Sequence, residues 1–222
     1  NFFVKYPEAN RMHKKAMVLS RLSRERGDPG EARRLLGAAQ CNDAYWHGVF
    51  GGLYLRHLRD TIWHNLARAE GELRSGERLL WEMRDMDLDG HEELWLHSSQ
   101  FSAVIGLVRG GGIEEMTVFR RGVNLANTLT RRREAYHELP DPSKESSGEV
   151  DPSTAPSIHD LEEELRFSQL PPEDSVTRAL FQDRILSGEV EVSAFENGTL
   201  LPEFSWTQHP LRLISVTEGK GK

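Results

Sequence analysis

Residues 39–52, AQCNDAYWHGVFGG, combine side chains that could bind a ligand. The carboxylate of Asp43, the indole of Trp46 and the imidazole of His47 lie close together, and glycines follow. If residues 39–47 are helical, these three side chains stand at i, i+3 and i+4 and share one face. An indole can stack on the C–H face of a sugar whose hydroxyls donate to the acid, so the pattern predicts a sugar-binding surface.

Each of these side chains also has a purely structural interpretation. Trp46 could pack in the core, and Asp43 could cap a helix or pair with a cation. His47 could donate to a sugar hydroxyl or to Asp43, but it could equally be a partly buried structural donor. Cys41 has no base beside it and is interpreted as a small buried hydrophobic residue.

The segment DMDLDG, Asp85 to Gly90, is the second candidate site. It begins like the Asp-x-Asp-x-Asp-Gly of a calcium loop, in which Asp85, Asp87 and Asp89 would be ligands. An EF-hand needs a bidentate glutamate at its twelfth position, and that position holds Leu96. The favoured interpretation is therefore a hairpin turn whose acids face water, with calcium binding as the alternative.

Composition and charge exclude several classes of protein. The net charge of −7 and the pI near 5.8 argue against nucleic acid or an anionic membrane surface as a partner. Apolar runs are too short to span a bilayer. The run Arg131–Arg133 is interpreted as a solvated or ion-paired face. Cys41 is the single cysteine, which excludes an internal disulfide and favours a cytoplasmic location.

Residues 1–75 are predicted to be helical. Apolar residues recur at three- and four-residue steps after Pro7, which can stand in a first helical turn. Gly27 breaks that helix, and Asp28 is the predicted N-cap of the next one. The clearest amphipathic stripe belongs to the third helix, which ends before Gly76; it comprises Leu55, Leu58, Ile62, Leu66, Ala69 and Leu73.

Residues 76–222 are predicted to form an incomplete antiparallel β-sandwich, which makes the fold class α+β. Short apolar runs around Trp95, Val104 and Val118 alternate with turn residues, as in hairpins. Residues 140–157, PDPSKESSGEVDPSTAPS, carry almost no apolar side chains and are predicted to be a disordered insert. A short helix is predicted over residues 158–170.

Two long stretches of the chain resemble glycoside hydrolase family 57, in particular its α-amylase/4-α-glucanotransferase group. They are KYPEANRMHKKAMVLSRL and AAQCNDAYWHGVFGGLYLRHLRDTIWHNLARAE. The stretch WEMRDMDLDGHEELWLHSSQFSAVI is similar to the opening of the C-terminal β-sandwich domain of that group. The resemblance covers roughly the first 140 residues and afterwards weakens to LFQDRIL.

The resemblance implies a division of labour between domains. In that family a barrel carries a glutamate nucleophile and an aspartate acid/base, and a helical region packs on it to complete the cleft. The aspartate of the fifth family motif falls on Asp43 and its tryptophan on Trp46. The resemblance thus implies that Asp43 hydrogen-bonds the glucose unit at the cleavage subsite, and that Trp46 stacks on it or shapes the subsite.

The resemblance also implies what the chain does not supply. Retaining cleavage of α-1,4-glucosidic bonds needs two carboxyl groups about 5–5.5 Å apart, and both belong to earlier motifs. No catalytic residue is therefore expected in this chain, no organic cofactor is implied, and the chain alone is expected to be catalytically silent. The implied partners are an upstream barrel domain and an α-1,4-glucan such as a maltooligosaccharide, amylose or glycogen.

The first residue is Asn1 rather than a methionine, and the sequence is interpreted as the C-terminal portion, a fragment, of a longer enzyme. The rival hypothesis is a free-standing carbohydrate-binding or scaffolding β-sandwich module without chemistry. The module hypothesis predicts that the 222 residues fold stably alone and bind maltooligosaccharides weakly. The fragment hypothesis predicts exposed apolar surface on the helices where the barrel would dock, and little binding in isolation.

Overall fold

Four helices occupy the first third of the chain. They are α1 (Phe2–Lys5), α2 (Pro7–Glu25), α3 (Gly30–Ala38) and α4 (Arg56–Leu73). The structure is a computed structural model, and it describes residues 2–46, 51–134, 172–200 and 202–217. Within those ranges no helix has both the length and the apolar character needed to cross a bilayer.

The apolar stripe predicted on the third helix is confirmed. Ile62, Leu66, Ala69 and Leu73 of α4 are all at most 3% exposed and face the core between the helices. Full burial of a leucine or isoleucine side chain stabilises a fold by about 1.5–3 kcal/mol. The stripe on α4 is therefore a main source of stability for the helical region.

The predicted N-cap at Asp28 is wrong. The backbone of Asp28 has φ 52°, and its carboxylate accepts from Ser23 Oγ at 3.0 Å and from Arg33 Nη1 at 2.9 Å. Pro29 precedes the first helical residue of α3, which has no side-chain cap. Because aspartate tolerates the left-handed region, Asp28 makes the reversal between α2 and α3 rather than capping α3.

A five-stranded antiparallel sheet follows the helices and confirms the α+β class. Its strands pair in chain order and are β1 (Leu80–Arg84), β2 (Glu93–His97), β3 (Phe101–Gly106), β4 (Gly112–Val118) and β5 (Val123–Asn124). The short apolar runs separated by turn residues predicted β2, β3 and β4, which contain Trp95, Val104 and Val118.

A smaller unit lies beyond the sheet. It contains β6 (Arg184–Ile185), α5 (Val192–Glu196) and β7 (Phe204–Ser205), and β6 pairs with β7. The described residues thus form one five-stranded sheet and one two-stranded sheet. A β-sandwich needs two larger sheets packed face to face, so it remains a prediction. The predicted insert 140–157 and the predicted helix over 158–170 lie outside the described residues.

The inner face of the sheet packs on α2 and α4 through an interface of mixed polarity. Trp95 is 1% exposed and packs with Val18 and Val104. Beside it, Lys15 Nζ lies 2.8 Å from Glu70 Oε2 and 2.9 Å from Glu115 Oε1, and all three side chains are buried. We call Lys15, Glu70 and Glu115 the buried ion cluster; it joins α2, α4 and β4.

The arginine run near residue 131 is ion-paired. Arg131 Nη2 lies 2.8 Å from Asp174 Oδ1, and Arg132 Nη1 lies 3.1 Å from Glu8 Oε2. Arg133 lies 3.9 Å from Glu173. The ion-paired alternative in the sequence analysis is therefore confirmed for these three residues.

Candidate functional site

The segment that carries Asp43 and Trp46 is not an α-helix. It forms a 3₁₀ helix, Asn42–Tyr45, and Trp46 follows with extended backbone (φ −145°, ψ 175°). The prediction of one shared α-helical face over residues 39–47 is therefore wrong. After a four-residue helical turn, the extended backbone at Trp46 takes the chain out of helical geometry, and His47 lies outside the described residues.

Short contacts tether this segment to the core. Ala44 is 1% exposed and belongs to the helical core. The hydroxyl of Tyr45 donates to the carbonyl of Ala39 at 2.7 Å, and the N–H of Leu53 donates to the carbonyl of Trp46 at 2.7 Å. We call residues 39–46 and 51–54 the tethered segment, since Ala44 and Leu53 belong to the helical core and the carbonyl of Trp46 accepts from the N–H of Leu53.

The two predicted binding side chains both face solvent. Asp43 is exposed, and Trp46 is 49% exposed even though tryptophan is usually well buried. Cys41, which the sequence analysis interpreted as buried, is exposed too; its Sγ donates to Asp43 Oδ2 at 3.9 Å. A solvent-facing carboxylate accepts from hydroxyls, and a solvent-facing indole offers a flat apolar surface with a polar edge. The two side chains suit a ligand that has hydroxyl groups and an apolar face.

Glu134 holds the end of the tethered segment through Tyr54, and the sequence analysis did not predict this role. Its Oε1 accepts from Tyr54 at 2.5 Å and Tyr6 at 2.8 Å, and Lys5 Nζ lies 2.5 Å from Oε2. Burial works to raise the pKa of Glu134, but the hydrogen bonds from Lys5, Tyr54 and Tyr6 prevail and lower it. Burial and the contact with Glu134 raise the pKa of Tyr54. No local sequence pattern relates Glu134 to Tyr54, which is why the sequence analysis did not predict this contact.

Arg59 is a second brace that the sequence did not reveal. It is 6% exposed, its Nη1 donates to the carbonyl of Leu53 at 2.6 Å, and its Nε donates to Asn127 Oδ1 at 3.2 Å. Burial lowers the pKa of its guanidinium. Arg59 thus joins α4 to the end of the tethered segment.

A large cavity lies beside α4, away from the predicted binding pair. Its volume is about 740 Å³, and it is lined by α4 and by residues 121–129 rather than by Asp43 or Trp46. Asp60, on its wall, is held by Arg56 at 3.2 Å and by Asn127 at 2.7 Å. Asp60 therefore serves a local ion pair and does not pair with Asp43.

The acidic loop Asp85–Gly90 connects β1 to β2, as the hairpin interpretation predicted. The prediction that its acids face water is wrong for Asp87, which is 5% exposed; Asp85 is half-buried and Asp89 is exposed. Asp87 turns inward because the loop packs on α2, where Asn10 Nδ2 donates to the carbonyl of Asp87 at 2.6 Å. Burial, and then the nearby charge of Asp89, raise the pKa of Asp87.

Comparisons with known proteins match nearly the whole chain. A family model described as "Alpha-amylase/4-alpha-glucanotransferase, middle domain" matches residues 1–73, and one described as "Alpha-amylase/4-alpha-glucanotransferase, C-terminal" matches residues 85–217. An alpha-amylase from Pyrococcus abyssi is 42% identical over 92% of the chain. A 4-alpha-glucanotransferase from Thermococcus kodakarensis is 40% identical over 88% of it.

A solved structure is also similar. The crystal structure of the 4-alpha-glucanotransferase from Thermococcus litoralis superposes on 99% of the chain with a TM-score of 0.78 and 33% identity. The chain spans only 29% of the length of the Pyrococcus abyssi and Thermococcus kodakarensis proteins, and 32% of the Thermococcus litoralis chain. The similarity thus covers this chain almost completely and each relative only in part.

Proposed function

Because the chain belongs to the alpha-amylase/4-alpha-glucanotransferase family, we propose that it is the C-terminal portion of a retaining enzyme that acts on α-1,4-glucosidic bonds. Its part in the reaction is to position the substrate. Asp43 accepts hydrogen bonds from the glucose unit at the cleavage subsite, and Trp46 stacks on that unit or shapes its pocket. The substrates are maltooligosaccharides, amylose or glycogen.

One observation carries this assignment of roles: Trp46 is 49% exposed, although its carbonyl accepts from the N–H of Leu53 and the preceding Tyr45 is held by the carbonyl of Ala39. An exposed tryptophan costs free energy in water unless a partner covers it. Held by the tether, it can stack on a sugar ring with little loss of conformational entropy. Asp43, also exposed, supplies the acceptor that selects a hydroxylated ligand.

The bond-breaking groups come from a barrel domain in this proposal. Two carboxyl groups about 5–5.5 Å apart perform retaining cleavage, one as nucleophile and one as acid and then base. Either water or a second glucan accepts the glycosyl group, which distinguishes an amylase from a transferase. The tethered segment contributes by positioning, whose loss can cost on the order of 10²-fold in rate. We assign the protein to the cytoplasm because the one cysteine of this chain, Cys41, is free.

Asp43→Ala tests the proposal in the enzyme that includes the barrel domain. We expect kcat/KM on amylose to fall by about 10²-fold or more, because the substrate loses an acceptor that positions it. Circular dichroism should be unchanged, since Asp43 is exposed. The control is Asp183→Ala, which removes another exposed aspartate and should leave turnover as it is. Near-normal turnover by the Asp43 variant would mean that the role given to Asp43 is wrong.

Trp46→Ala forms the second arm of the same test. Trp81 is a matched control, because it is 47% exposed but lies on the sheet. We expect Trp46→Ala to raise KM for a maltooligosaccharide substantially and Trp81→Ala to leave it unchanged, as measured by initial rates over a range of substrate concentrations. Equal effects of the two substitutions would contradict a stacking role for Trp46. If neither Asp43 nor Trp46 affects turnover, the rival hypothesis of a non-catalytic carbohydrate-binding or scaffolding module is favoured.

A further inference from the structure

The loop between β1 and β2 collects carboxylates beyond the three that its sequence motif contains. One oxygen from each of Asp85, Asp87 and Asp89 lies within 4.8 Å of the other two. Glu93, the first residue of β2, lies next to them, and its carboxyl is repelled by Asp87 and Asp89. Donor atoms this close, and all of them oxygens, match the preference of hard divalent cations.

Two buried oxygens at this loop lack a hydrogen-bond partner. They are Asp87 Oδ1 and Glu93 Oε1, in residues that are 5% and 1% exposed. The second oxygen of Glu93 accepts from the N–H of Met86 at 2.8 Å, so the unpartnered oxygen belongs to a side chain that is already held in place. A buried carboxylate oxygen without a donor is costly, and native proteins seldom keep one unless a water or an ion is bound.

The cations already present do not neutralise the group. Arg109 makes its short contacts with Glu114, at 2.5 and 2.9 Å, and stays 3.4 Å from both Asp87 and Asp89. Arg11 also pairs with Glu114, at 3.0 Å. Two guanidinium groups thus face five carboxyl groups, those of Asp85, Asp87, Asp89, Glu93 and Glu114. Burial is the main cause that raises the pKa of Glu93 to about 8, and the charges of Asp87, Glu114 and Asp89 contribute less.

A cavity large enough for one ion or water molecule lies beside these oxygens. A small cavity of about 20 Å³ is lined by Asp87 and Glu93, by Glu114 and Glu115 of β4, and by Arg11 and Lys15 of α2, whose charges are directed to Glu114 and to Glu70 and Glu115. A volume of about 10–15 Å³ suffices for one water-sized occupant. The unpartnered oxygens therefore border a space that could hold a single ion or water.

We propose that this loop binds one calcium ion through Asp85, Asp87 and Asp89, and that Glu93 supplies a further oxygen from the first position of β2. Calcium accepts six to eight oxygen ligands in irregular geometry, whereas magnesium demands a near-ideal octahedron and keeps much of its water. Glu93 takes the place of the twelfth-position glutamate of an EF-hand, and it lies nearer to the aspartates in the chain. The role of the bound calcium is structural, because the loop that holds it packs on α2 through Asn10.

Calcium binding is measured on the whole 222-residue chain after treatment with a chelator. Titration calorimetry with CaCl₂ should give one saturable site, and terbium should show luminescence sensitised by tryptophan. Calcium should raise Tm by several degrees, because a ligand that binds only the folded state stabilises it; magnesium at equal concentration should raise Tm by much less.

Two substitutions test the ligands, and one serves as their control. Asp87→Asn and Glu93→Gln keep the size of the side chain and should each weaken calcium binding by about ten-fold or more. Glu92→Gln removes an exposed carboxylate from the same loop and should leave the affinity unchanged. If Asp87→Asn does not fold, as judged by circular dichroism, Asp85→Asn replaces it, since Asp85 is only half-buried.

Three results would overturn the proposal. The first is the absence of saturable calcium binding at millimolar concentration. The second is binding that Asp87→Asn, or the replacement at Asp85, and Glu93→Gln leave at full strength. The third is a rise in Tm that magnesium matches, because the site would then not discriminate in favour of calcium.

Discussion

Burial separates the roles of tryptophan residues that look alike in the sequence. Trp63 and Trp95 are 5% and 1% exposed and belong to the core, whereas Trp46 is 49% exposed. The family resemblance identified Asp43 and Trp46 as binding residues, and composition alone made them candidates. Their geometry was not predictable, because a 3₁₀ turn followed by an extended residue leaves no periodic pattern. Glu134 and Arg59 were missed because their partners are distant in the chain.

Glu8 provides a test of acid stability at a single residue. It is 8% exposed, and its Oε1 accepts from the N–H of Thr130 at 3.0 Å and from the hydroxyl at 2.6 Å. Burial works to raise the pKa of Glu8, but the hydrogen bonds from Thr130 and the charge of Arg132 outweigh it, so the pKa is lowered. A carboxyl whose folded-state pKa is lowered stabilises the fold above its unfolded-state value, and that contribution disappears as the pH falls through the folded-state value.

We therefore expect Glu8→Gln to lose less stability than the wild type between about pH 5 and pH 3, the range below the ordinary glutamate pKa. Urea denaturation at a series of pH values measures this difference. The control is Glu25→Gln, which alters an exposed glutamate of the same helix and should keep the wild-type slope. A wild-type slope in Glu8→Gln would show that the lowered pKa does not contribute to acid unfolding.

At the scale of elements, the sequence predicted what depends on local periodicity. The stripe of α4 and the apolar runs of β2 to β4 can each be read within one segment, and these elements are confirmed as a helix and as strands. The burial of Lys15 could not be read in this way. It stands among the apolar positions Met12 and Leu19 on α2, and its partners Glu70 and Glu115 lie on elements that only the tertiary fold brings together.

The buried ion cluster predicts a large effect of removing its cation. Lys15→Met leaves Glu115 buried without its cation, while Glu70 keeps Arg74 Nε at 2.9 Å. Loss of one partner from a buried ion pair costs about 3–5 kcal/mol. Urea unfolding at pH 7 measures that loss. Lys14→Met is the control, because Lys14 is only partly buried and contacts His13 and the ring of Phe3; it should change stability by about 0.5 kcal/mol or less. Equal stability of the two variants would contradict the account of the cluster.

At the scale of the molecule, the predicted division at residues 75 and 76 separates two kinds of secondary structure but passes between elements that share an interface. Trp95 of the sheet packs on Val18, and the cations Lys15 and Arg74 of the helical region lie 4.7 and 4.5 Å from the centroid of its ring. On the outer face of the sheet, Trp81, Leu96, Ala103 and Met116 form an apolar row across four strands, which is the surface that a second sheet of a sandwich would cover.

The shared interface predicts that the two regions do not fold apart. Residues 1–75 and 76–222, produced separately, should each show poor dispersion of amide signals in NMR spectra, because each would expose half of a mixed interface to water. Mixing them should restore native dispersion. A well-folded 76–222 in isolation would refute the interdependence.

The pairing of Lys15 with Glu70 and Glu115 also bears on how such a gene can change. Exchange of the helical half with that of a distant homologue would succeed only if the incoming half brought a cation at the same position, since otherwise Glu115 of β4 would be buried without a counter-charge. Recombination points should therefore be rare between the helical region and the sheet region, and these two regions should be inherited together.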